Sequence, residues 1–325
     1  MCTCIDLKTR DYYFGRNLDL EYRFNEKVVI TPRNYDFNLK NEPNIKTKYA
    51  MIGMAAVVHD YPLYAEASNE KGLCIAGLDF KNNAHYTDVK AEKINIAPYE
   101  LVPWVLGNYA NINELKNIIT NINLIDVPYS KDMPLTPLHW MISDEKGCLV
   151  IEQTKEGLKV YSNPIRVLTN NPIFPYHLEN IKNYLNLTSG IAENRFSDKI
   201  QLKAYSNGMG AIGLPGDSSS ASRFIRAAFN KMNSASEYNE EASVSQFFHI
   251  LDSVVVIRGT TKTETNKYNI TNYSSCINAS KGIYYYKTYD NSQITAVQMT
   301  EKNINSNKLS IYELIEKQQI KYLNY

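Results

Sequence analysis

The sequence predicts an α+β protein in which antiparallel sheets are sandwiched between layers of helices. Strand-like segments come in runs that paired helices interrupt, and this block pattern favours antiparallel sheets over a parallel sheet of alternating strands and helices. Several strands, among them residues 50–58, are apolar on both faces. A strand of that kind must be covered on both sides, which indicates helix layers outside the sheets.

Length and charge limit the classes of protein. The 325 residues allow about two domains or one large layered domain. Because no repeat and no Pro/Gly/Ser-rich linker divides the chain, we expect a single domain over residues 1–325. With 35 basic and 34 acidic side chains, the formal charge of +1 lacks the basic footprint of a nucleic-acid binder. No apolar run reaches the roughly 18 residues that a membrane span requires.

The first half of the chain predicts five strands and then two helices. The strands are apolar, β-branched or aromatic and lie at 2–7, 12–16, 28–31, 49–58 and 72–80. The first helix begins at Pro98, a favourable first helical residue, and ends near Asn108. The second begins at Asn111, with Glu114 three residues later as in a capping box, and its apolar face comprises Ile112, Leu115, Ile118, Ile119 and Ile122.

The second half alternates in the same blocks. Strands are predicted at 138–143, 149–153, 158–161 and 166–169, and helices at 175–185, 222–232 and 244–256. The last strands are expected at 274–278, 283–288 and 294–299.

The residue most suggestive of chemistry is Cys2, directly after Met1. Removal of Met1 would leave a thiol and a free α-amine on one residue. In model peptides an α-amine titrates near about 8 and a thiol near about 8.5, so such a residue carries its own nucleophile and base. Small residues are also common at position 2 of proteins, so a Cys2 without a catalytic role remains an alternative.

The polar residues 8–11 predict a hairpin between the first two strands. If paired positions sum to about 19, Cys2 lies opposite Asn17, and Arg16 and Asp19 lie at the same end of the sheet. An arginine beside a thiol favours the thiolate, and a carboxylate can orient an α-amine. The alternative is an ordinary surface ion pair between Arg16 and Asp19.

Sequence motifs along nearly the whole chain resemble the choloylglycine hydrolase family. They are MCT at the start, FGRNLD, NEKGLCIAGLDF, TPLHWMISD, VIEQTKEGL, VLTNNP, GLPGDSSSASRFIR and GIYYYKTYD. The family contains bile salt hydrolases and penicillin V acylases and belongs to the N-terminal nucleophile hydrolases. The sequence is most similar to the bile salt hydrolase branch.

The resemblance implies a four-layer αββα fold and a set of site residues. Cys2 would be the nucleophile, supported by Arg16 and Asp19, and Asn170 and Arg223 would complete the site. Asn170 and the backbone N–H of residue 79 would hold the oxyanion.

Two positions depart from the family pattern. Asp79 stands where bile salt hydrolases have Asn and penicillin acylases tend to have Tyr. An ionised Asp79 would repel a developing oxyanion, unless it turns away or pairs with Arg16 or Arg223. Cys4 stands where a small residue is usual, and we expect it to serve in packing.

The resemblance also implies the reaction and its partners. The expected reaction is hydrolysis of glycine- or taurine-conjugated bile salts through a thioester, without metal or cofactor, in a homotetramer. Bulky residues near the motifs are the expected pocket lining: Leu18, Tyr22, Tyr61, Met133 and Leu135. A penicillin V acylase, another lipid-amide acylase and a catalytically impaired bile-salt-binding homologue remain alternatives.

The cysteines and histidines indicate neither disulfides nor zinc. Five scattered cysteines are a poor disulfide framework, and no secretory signal precedes them, so we expect a cytoplasmic protein. The five histidines lack zinc-ligand spacing. His139 and His249 are expected to be buried and hydrogen-bonded.

Overall fold

The computed structural model describes residues 1–324. In chain order the strands are β1 (Cys2–Lys8), β2 (Tyr12–Leu20), β3 (Lys27–Thr31), β4 (Asp36–Phe37), β5 (Ile45–Lys46), β6 (Met51–Val58), β7 (Tyr61–Asn69), β8 (Cys74–Asp79), β9 (Ile94–Ile96), β10 (Ile122–Leu124), β11 (Leu138–Ser143), β12 (Cys148–Thr154), β13 (Gly157–Ser162), β14 (Val167–Leu168), β15 (Ile270–Asn278), β16 (Ile283–Thr288), β17 (Thr295–Gln298) and β18 (Ser310–Tyr312). The helices are α1 (Leu101–Asn108), α2 (Ile112–Ile119), α3 (Phe174–Asn180), α4 (Ser220–Asn233), α5 (Glu240–Asp252) and α6 (Glu301–Ile304). Short 3₁₀ turns lie at Pro98–Glu100, Ile181–Tyr184 and Met209–Ala211.

Most of the strands form two large antiparallel sheets. The six-stranded sheet has the order β14-β1-β2-β15-β16-β17, and the eight-stranded sheet has the order β13-β12-β11-β8-β7-β6-β3-β18. Two small ribbons, β4-β5 and β9-β10, accompany them. The predicted antiparallel arrangement is therefore confirmed.

The two sheets face each other, and helices cover their outer faces. β1 and β2 contact β8, and β16 contacts β6, across the space between the sheets. α4 and α5 pack on the six-stranded sheet, and α1 packs on β7 and β8 of the other sheet. This is the expected αββα arrangement. Among residues 1–324, no helix has the length and apolar composition that a membrane span needs.

β6 shows why strands that are apolar on both faces were a useful signal. Ile52 and Met54 belong to the apolar cluster that joins the two sheets, whereas Met51 and Ala55 belong to a second cluster under α1 and α2. Since neighbouring strand residues face opposite sides, both faces of β6 are buried. The predicted coverage of this strand is confirmed.

The predicted helices are present, with different ends. Asn111 caps α2 as expected, accepting a hydrogen bond from the Glu114 backbone N–H over 3.1 Å. The expected helical position of Ile122 is wrong, because α2 ends at Ile119 and Ile122 starts β10, where it pairs with Ile94. A buried isoleucine at position 122 fits both a longer helix and a short buried strand, and hydrophobic periodicity does not distinguish the two.

β7 was not predicted, and its hairpin with β6 explains why. The two turn residues, His59 and Asp60, have φ values of 48° and 61°, as in a tight two-residue hairpin. Such turns usually carry Asn-Gly or Asp-Gly, so His-Asp gave no turn signal. The strand also carries a buried glutamate, Glu66, which breaks its apolar pattern. The short strands β4, β5, β9, β10 and β18 and the helix α6 were also not predicted.

The register of the first hairpin differs by one residue from the expected one. Lys8 pairs with Tyr12 around a three-residue loop, so Cys2 lies opposite Leu18 and Asn17 lies opposite Thr3. The expected pairing of Cys2 with Asn17 is wrong because it assumed a two-residue loop.

Candidate active site

Cys2 is the first residue of β1 and is almost completely buried, with 3% of its surface exposed. Its cross-strand partner Leu18 lies on the same face of the six-stranded sheet, within the apolar cluster between the sheets. Ahead of it, the Met1 ammonium donates to the Asp19 carbonyl over 2.7 Å, and the Asp19 N–H donates to the Met1 carbonyl over 3.0 Å. The β1–β2 ladder thus continues to the chain end.

Arg16 lies between the two sheets and is fully buried. Its Nη1 donates to the carbonyls of Gly77, at the end of β8, and of Ala65, on β7. Burial lowers the pKa of Arg16, but the neighbouring Cys2 and other buried acids outweigh burial and raise it. Arg16 therefore stays a cation close to the thiol.

Asp19 faces the opposite side of β2, since it is three residues from Arg16. Its Oδ1 accepts a hydrogen bond from Thr271 Oγ1 over 2.6 Å. Its Oδ2 is buried and has no hydrogen-bond partner within residues 1–324. A buried carboxylate oxygen without a donor is costly, so this atom is available to a donor such as an α-amine.

Asn170 contacts Cys2, Asp79 and Arg223. The β1–β14 register, in which Cys4 pairs with Leu168, places Asn170 beside Cys2. Its Oδ1 accepts the Cys2 backbone N–H over 2.7 Å. Its Nδ2 donates to the Asp79 carbonyl over 2.8 Å, which leaves one of the two amide hydrogens for another acceptor.

Arg223 lies in the first turns of α4 and is fully buried. Its Nη1 donates to the Cys2 carbonyl and, over 2.6 Å, to Thr3 Oγ1. Its Nη2 donates to Asn170 Oδ1 over 2.7 Å, and its Nε donates to the Ser218 carbonyl over 3.0 Å. Burial lowers the pKa of Arg223. One guanidinium thus fixes both β1 and the Asn170 amide.

Asp79 is the last residue of β8 and is half-buried. Among the described residues, its carboxylate makes no hydrogen bond or ion pair, so of the alternatives left open above the structure shows no pairing of Asp79 with Arg16 or Arg223. Arg16 lies instead near Glu66, 3.9 Å from Nη1 to Oε2. The Asp79 charge contributes to a raised pKa of Tyr22, for which burial is the larger cause.

The backbone N–H of Asp79 is not used by the neighbouring strand. Phe80 donates to the Pro137 carbonyl, and in an antiparallel ladder hydrogen-bonded pairs alternate with non-bonded ones. The pair Asp79–Leu138 is therefore of the non-bonded kind, and the Leu138 N–H accordingly donates to Tyr86 Oη instead.

Two buried histidines hold the segment that carries Asn170. His139 Nε2 bonds the Thr169 carbonyl over 3.0 Å, and His177 Nε2 bonds the Asn170 carbonyl over 3.0 Å. Glu152 Oε1 lies within hydrogen-bond distance of His139 Nδ1, at 3.0 Å. The expectation that His139 is buried and hydrogen-bonded is confirmed, whereas His249 is exposed because it lies on the outer face of α5. Sequence reasoning did not connect His139 or His177 with the site.

Four of the five expected lining residues lie either beside Cys2 or at partly exposed positions. Leu18 is the cross-strand neighbour of Cys2. Met133 and Leu135 are half-buried in the segment between β10 and β11. Tyr22 is 54% exposed, on a groove of ≈ 430 Å³ that charged residues such as Glu21, Arg258 and Asp290 also line.

Tyr61 lies elsewhere. Its ring packs edge-on against Phe37 and Tyr99 and lies 5.5 Å from the ring of Tyr129. These side chains belong to the cluster under α1 and α2, on the outer side of the eight-stranded sheet. The structure therefore separates Tyr61 from the face that carries Cys2.

Comparisons with known proteins agree with this architecture. The family model of linear amide C–N hydrolases, choloylglycine hydrolase family, matches residues 2–312. The chain is 49% identical to a bile salt hydrolase/transferase from Lactiplantibacillus plantarum and 42% identical to one from Clostridium perfringens, each over 100% of both chains.

Solved structures show the same similarity. The C2A mutant of the conjugated bile acid hydrolase from Clostridium perfringens superposes with a TM-score of 0.91 at 41% identity, over 100% of both chains. Penicillin V acylase from Agrobacterium tumefaciens, at 16% identity and a TM-score of 0.75 over 96% of this chain and 91% of that one, shares the fold. The chain belongs to the choloylglycine hydrolase family of linear amide C–N hydrolases.

Proposed function

We propose that this protein hydrolyses the amide bond that joins a bile acid to glycine or taurine. The observation that carries the proposal is its 49% identity, over the full length of both chains, with a protein named bile salt hydrolase/transferase. The similarity to penicillin V acylase is one of fold, so it does not favour penicillin V as the substrate. The cluster around Cys2 supplies the groups that amide hydrolysis requires.

The proposed reaction starts from a chain whose first residue is Cys2. Its nitrogen, then a free α-amine, would keep Oδ1 of Asn170 as an acceptor and find a second one in the unpartnered Oδ2 of Asp19. The α-amine takes the thiol proton, and the sulfur attacks the substrate carbonyl carbon to form a C–S bond. When the C–N bond breaks, the ammonium returns this proton to the leaving amine.

The second half of the reaction releases the bile acid. Water attacks the thioester carbonyl, and its proton passes through the α-amine to the leaving sulfur, which restores the Cys2 thiol. Glycine or taurine leaves in the first half and the free bile acid in the second. The proposed route draws on no metal and no organic cofactor.

The oxyanion of both tetrahedral intermediates needs preorganised N–H donors. We assign this role to the Asp79 backbone N–H, which β11 does not use, and to the second amide hydrogen of Asn170. The Asn170 Nδ2 bond to the Asp79 carbonyl supports this assignment, since it keeps the two donors close together.

The pocket assignment follows from the placement of the lining residues. We retain Leu18, Met133, Leu135 and Tyr22 as candidates for the contact with the steroid. We do not retain Tyr61 as a direct contact to the steroid. Its link to the proposed pocket is through the ring of Tyr129, which lies on the segment that leads to Met133.

Assembly and location are part of the same proposal. We propose the homotetramer that the family resemblance implies. In support, residues 185–212 expose large apolar side chains, as a subunit interface would, namely Leu185, Ile191, Phe196, Leu202, Tyr205 and Ile212. We infer one domain over residues 1–325, because β1 pairs with β2, which pairs with β15, and β18 pairs with β3. A cytoplasmic location agrees with five free cysteines.

The function is tested by hydrolysis assays on taurocholate, glycocholate and penicillin V. We expect release of taurine or glycine, and far slower cleavage of penicillin V. Cys2→Ala should abolish turnover, whereas Cys276→Ala, a buried cysteine of β15, should retain it. Bile salt binding without turnover by the wild-type protein would identify an impaired homologue, and preferential cleavage of penicillin V would contradict the proposed substrate.

A further inference from the structure

Glu66 is a fully buried carboxylate in the space between the two sheets. It projects from β7, and its two oxygens are held from the opposite sheet. Tyr273 Oη on β15 donates to Oε2 over 2.7 Å, and Tyr284 Oη on β16 donates to Oε1 over 2.5 Å. Two hydroxyl donors, one on each oxygen, favour the ionised form of this side chain.

The cation nearest to this carboxylate is Arg16. Nη1 of Arg16 lies 3.9 Å from Oε2 of Glu66, too far for a hydrogen bond but close enough for a strong charge interaction. The carbonyls of Gly77 and Ala65 fix the guanidinium independently of Glu66. The two backbone carbonyls therefore set the position of the guanidinium, and Glu66 acts on Arg16 through its negative charge.

The same guanidinium faces the nucleophile. Arg16 and Cys2 occupy the same face of the six-stranded sheet, where Cys4, the cross-strand partner of Arg16, lies two residues from Cys2. The Nε of Arg16 is buried and has no partner in residues 1–324. Arg16 thus stands between the Glu66 carboxylate, which two tyrosine hydroxyls bond, and the Cys2 thiol, which is an anion only when it ionises.

We propose that Glu66 is a positioning residue that acts on Cys2 through Arg16: its buried charge partly neutralises the guanidinium and so sets how strongly Arg16 stabilises the Cys2 thiolate. Without a buried counter-charge, Arg16 would be an uncompensated cation between two apolar sheets. With the Glu66 carboxylate present, Arg16 is stabilised as a buried cation, but it stabilises the Cys2 thiolate less strongly.

Ionisable groups from several elements surround this part of the site. Burial raises the pKa of Glu66 and Arg16 opposes that rise, while burial raises the pKa of both tyrosines. The ionisable groups that the elements around Cys2 and Arg16 carry are Cys4 on β1, Arg16 and Asp19 on β2, Glu66 on β7, Asp79 on β8, Tyr273 on β15, Tyr284 on β16 and Arg223 on α4.

The test is the rate of Cys2 alkylation as a function of pH in Glu66→Gln. Peptide fragmentation must separate Cys2 from Cys4, which share one tryptic peptide. The substitution keeps the size and an acceptor but removes the charge. In a medium of effective dielectric about 20, losing one nearby charge should move the midpoint of the profile down by about one pH unit.

Three further variants keep the test decisive. Glu66→Asp retains the charge and should keep the wild-type midpoint. Glu100→Gln removes a buried carboxylate that accepts hydrogen bonds from the backbone N–H groups of Lys40 and Ala97 near α1. This carboxylate lies far from the space between the sheets, so the variant should also leave the midpoint unchanged. If Glu66→Gln does not fold, Tyr284→Phe serves in its place. It removes one donor to Glu66 and so makes the ionised form of Glu66 less stable, which should move the midpoint in the same direction by a smaller amount.

A midpoint that stays the same or rises in folded Glu66→Gln, or in Tyr284→Phe where Glu66→Gln does not fold, would overturn the proposal. The inference rests on Cys2 as the nucleophile of the proposed function, yet the titration requires no bile salt. A protein that fails to hydrolyse bile salts but shows the downward shift would refute the proposed function and leave the role of Glu66 intact.

Discussion

The backbone nitrogen of Cys2 donates to Oδ1 of Asn170 over 2.7 Å, and this bond joins two residues that are 168 positions apart in the chain. The same amide donates from Nδ2 to the Asp79 carbonyl at the end of β8. Asn170 therefore fixes the separation between the start of β1 in one sheet and the end of β8 in the other. The proposed nucleophile and oxyanion donors are aligned by one side chain.

Arg223 should be sensitive even to a conservative change. Arg223→Lys keeps the positive charge but cannot bond Cys2, Thr3 and Asn170 at once, because an ammonium lacks the planar fork of a guanidinium. We expect kcat/KM on taurocholate to fall by ~10–10³, the scale of losing a preorganised contact.

The matched control is Arg226→Lys on the same helix. Arg226 is half-buried and donates to the carbonyls of Ser253, Pro215 and Asp217, away from Cys2. We expect wild-type kcat/KM for this variant. Equal activity of Arg223→Lys and wild type, at equal melting temperature, would show that Arg223 is not part of the machinery.

Asp79→Asn should raise activity. The Asp79 carboxylate has no hydrogen bond or ion pair within the part of the chain described, so the substitution breaks no buried pair and removes a negative charge beside the proposed oxyanion site. We expect kcat/KM to rise several-fold, up to ~10² if the new amide donates to the oxyanion.

The measurement is a pH–rate profile on taurocholate for both proteins. Asp126→Asn is a suitable control, since Asp126 is an exposed carboxylate near Tyr86 but outside the cluster around Cys2. Superimposable profiles of wild type and Asp79→Asn would mean that the side chain does not face the reacting atoms.

His177 should make stability depend on pH. Burial lowers the pKa of His177 to about 4, whereas an unfolded histidine titrates near 6.5. As pH falls from about 6.5 to about 4, protons bind the unfolded chain first, so the free energy of unfolding should decrease. The full difference corresponds to about 3 kcal/mol.

Urea unfolding at pH 7 and pH 5 measures this effect. His177→Gln, which keeps a donor for the Asn170 carbonyl, should lose less stability between these pH values than wild type. His249→Gln, at an exposed position of α5, should behave like wild type. The same loss in wild type and His177→Gln would contradict the prediction.

Local sequence patterns predict the site residues that lie close together in the chain. Cys2, Arg16 and Asp19 lie within two adjacent strands, so a hairpin pattern sufficed to bring them to one end of a sheet. Asn170 and Arg223 came from the family resemblance, because no local pattern links them to β1. Their contacts depend on how β14 and α4 pack against β1.

Other parts were missed for identifiable reasons. The register error came from the loop length, which polar residues at 8–11 do not specify. Glu66 was missed because β7 was missed, and a lone glutamate in a strand does not indicate burial between two sheets. His139 and His177 hold residues 169 and 170 through backbone carbonyls, which leave no signature in side-chain identities.

The proposed mechanism requires Cys2 to act as an N-terminal nucleophile. The most direct measurement compares taurocholate hydrolysis by two preparations whose intact masses are known: one that begins at Cys2, and one with an N-terminal extension that is not removed. We predict turnover only in the first, and a loss of at least ~10² for its Cys2→Ser variant, because a hydroxyl is a far weaker nucleophile at neutral pH. Full activity in the extended protein would contradict the mechanism.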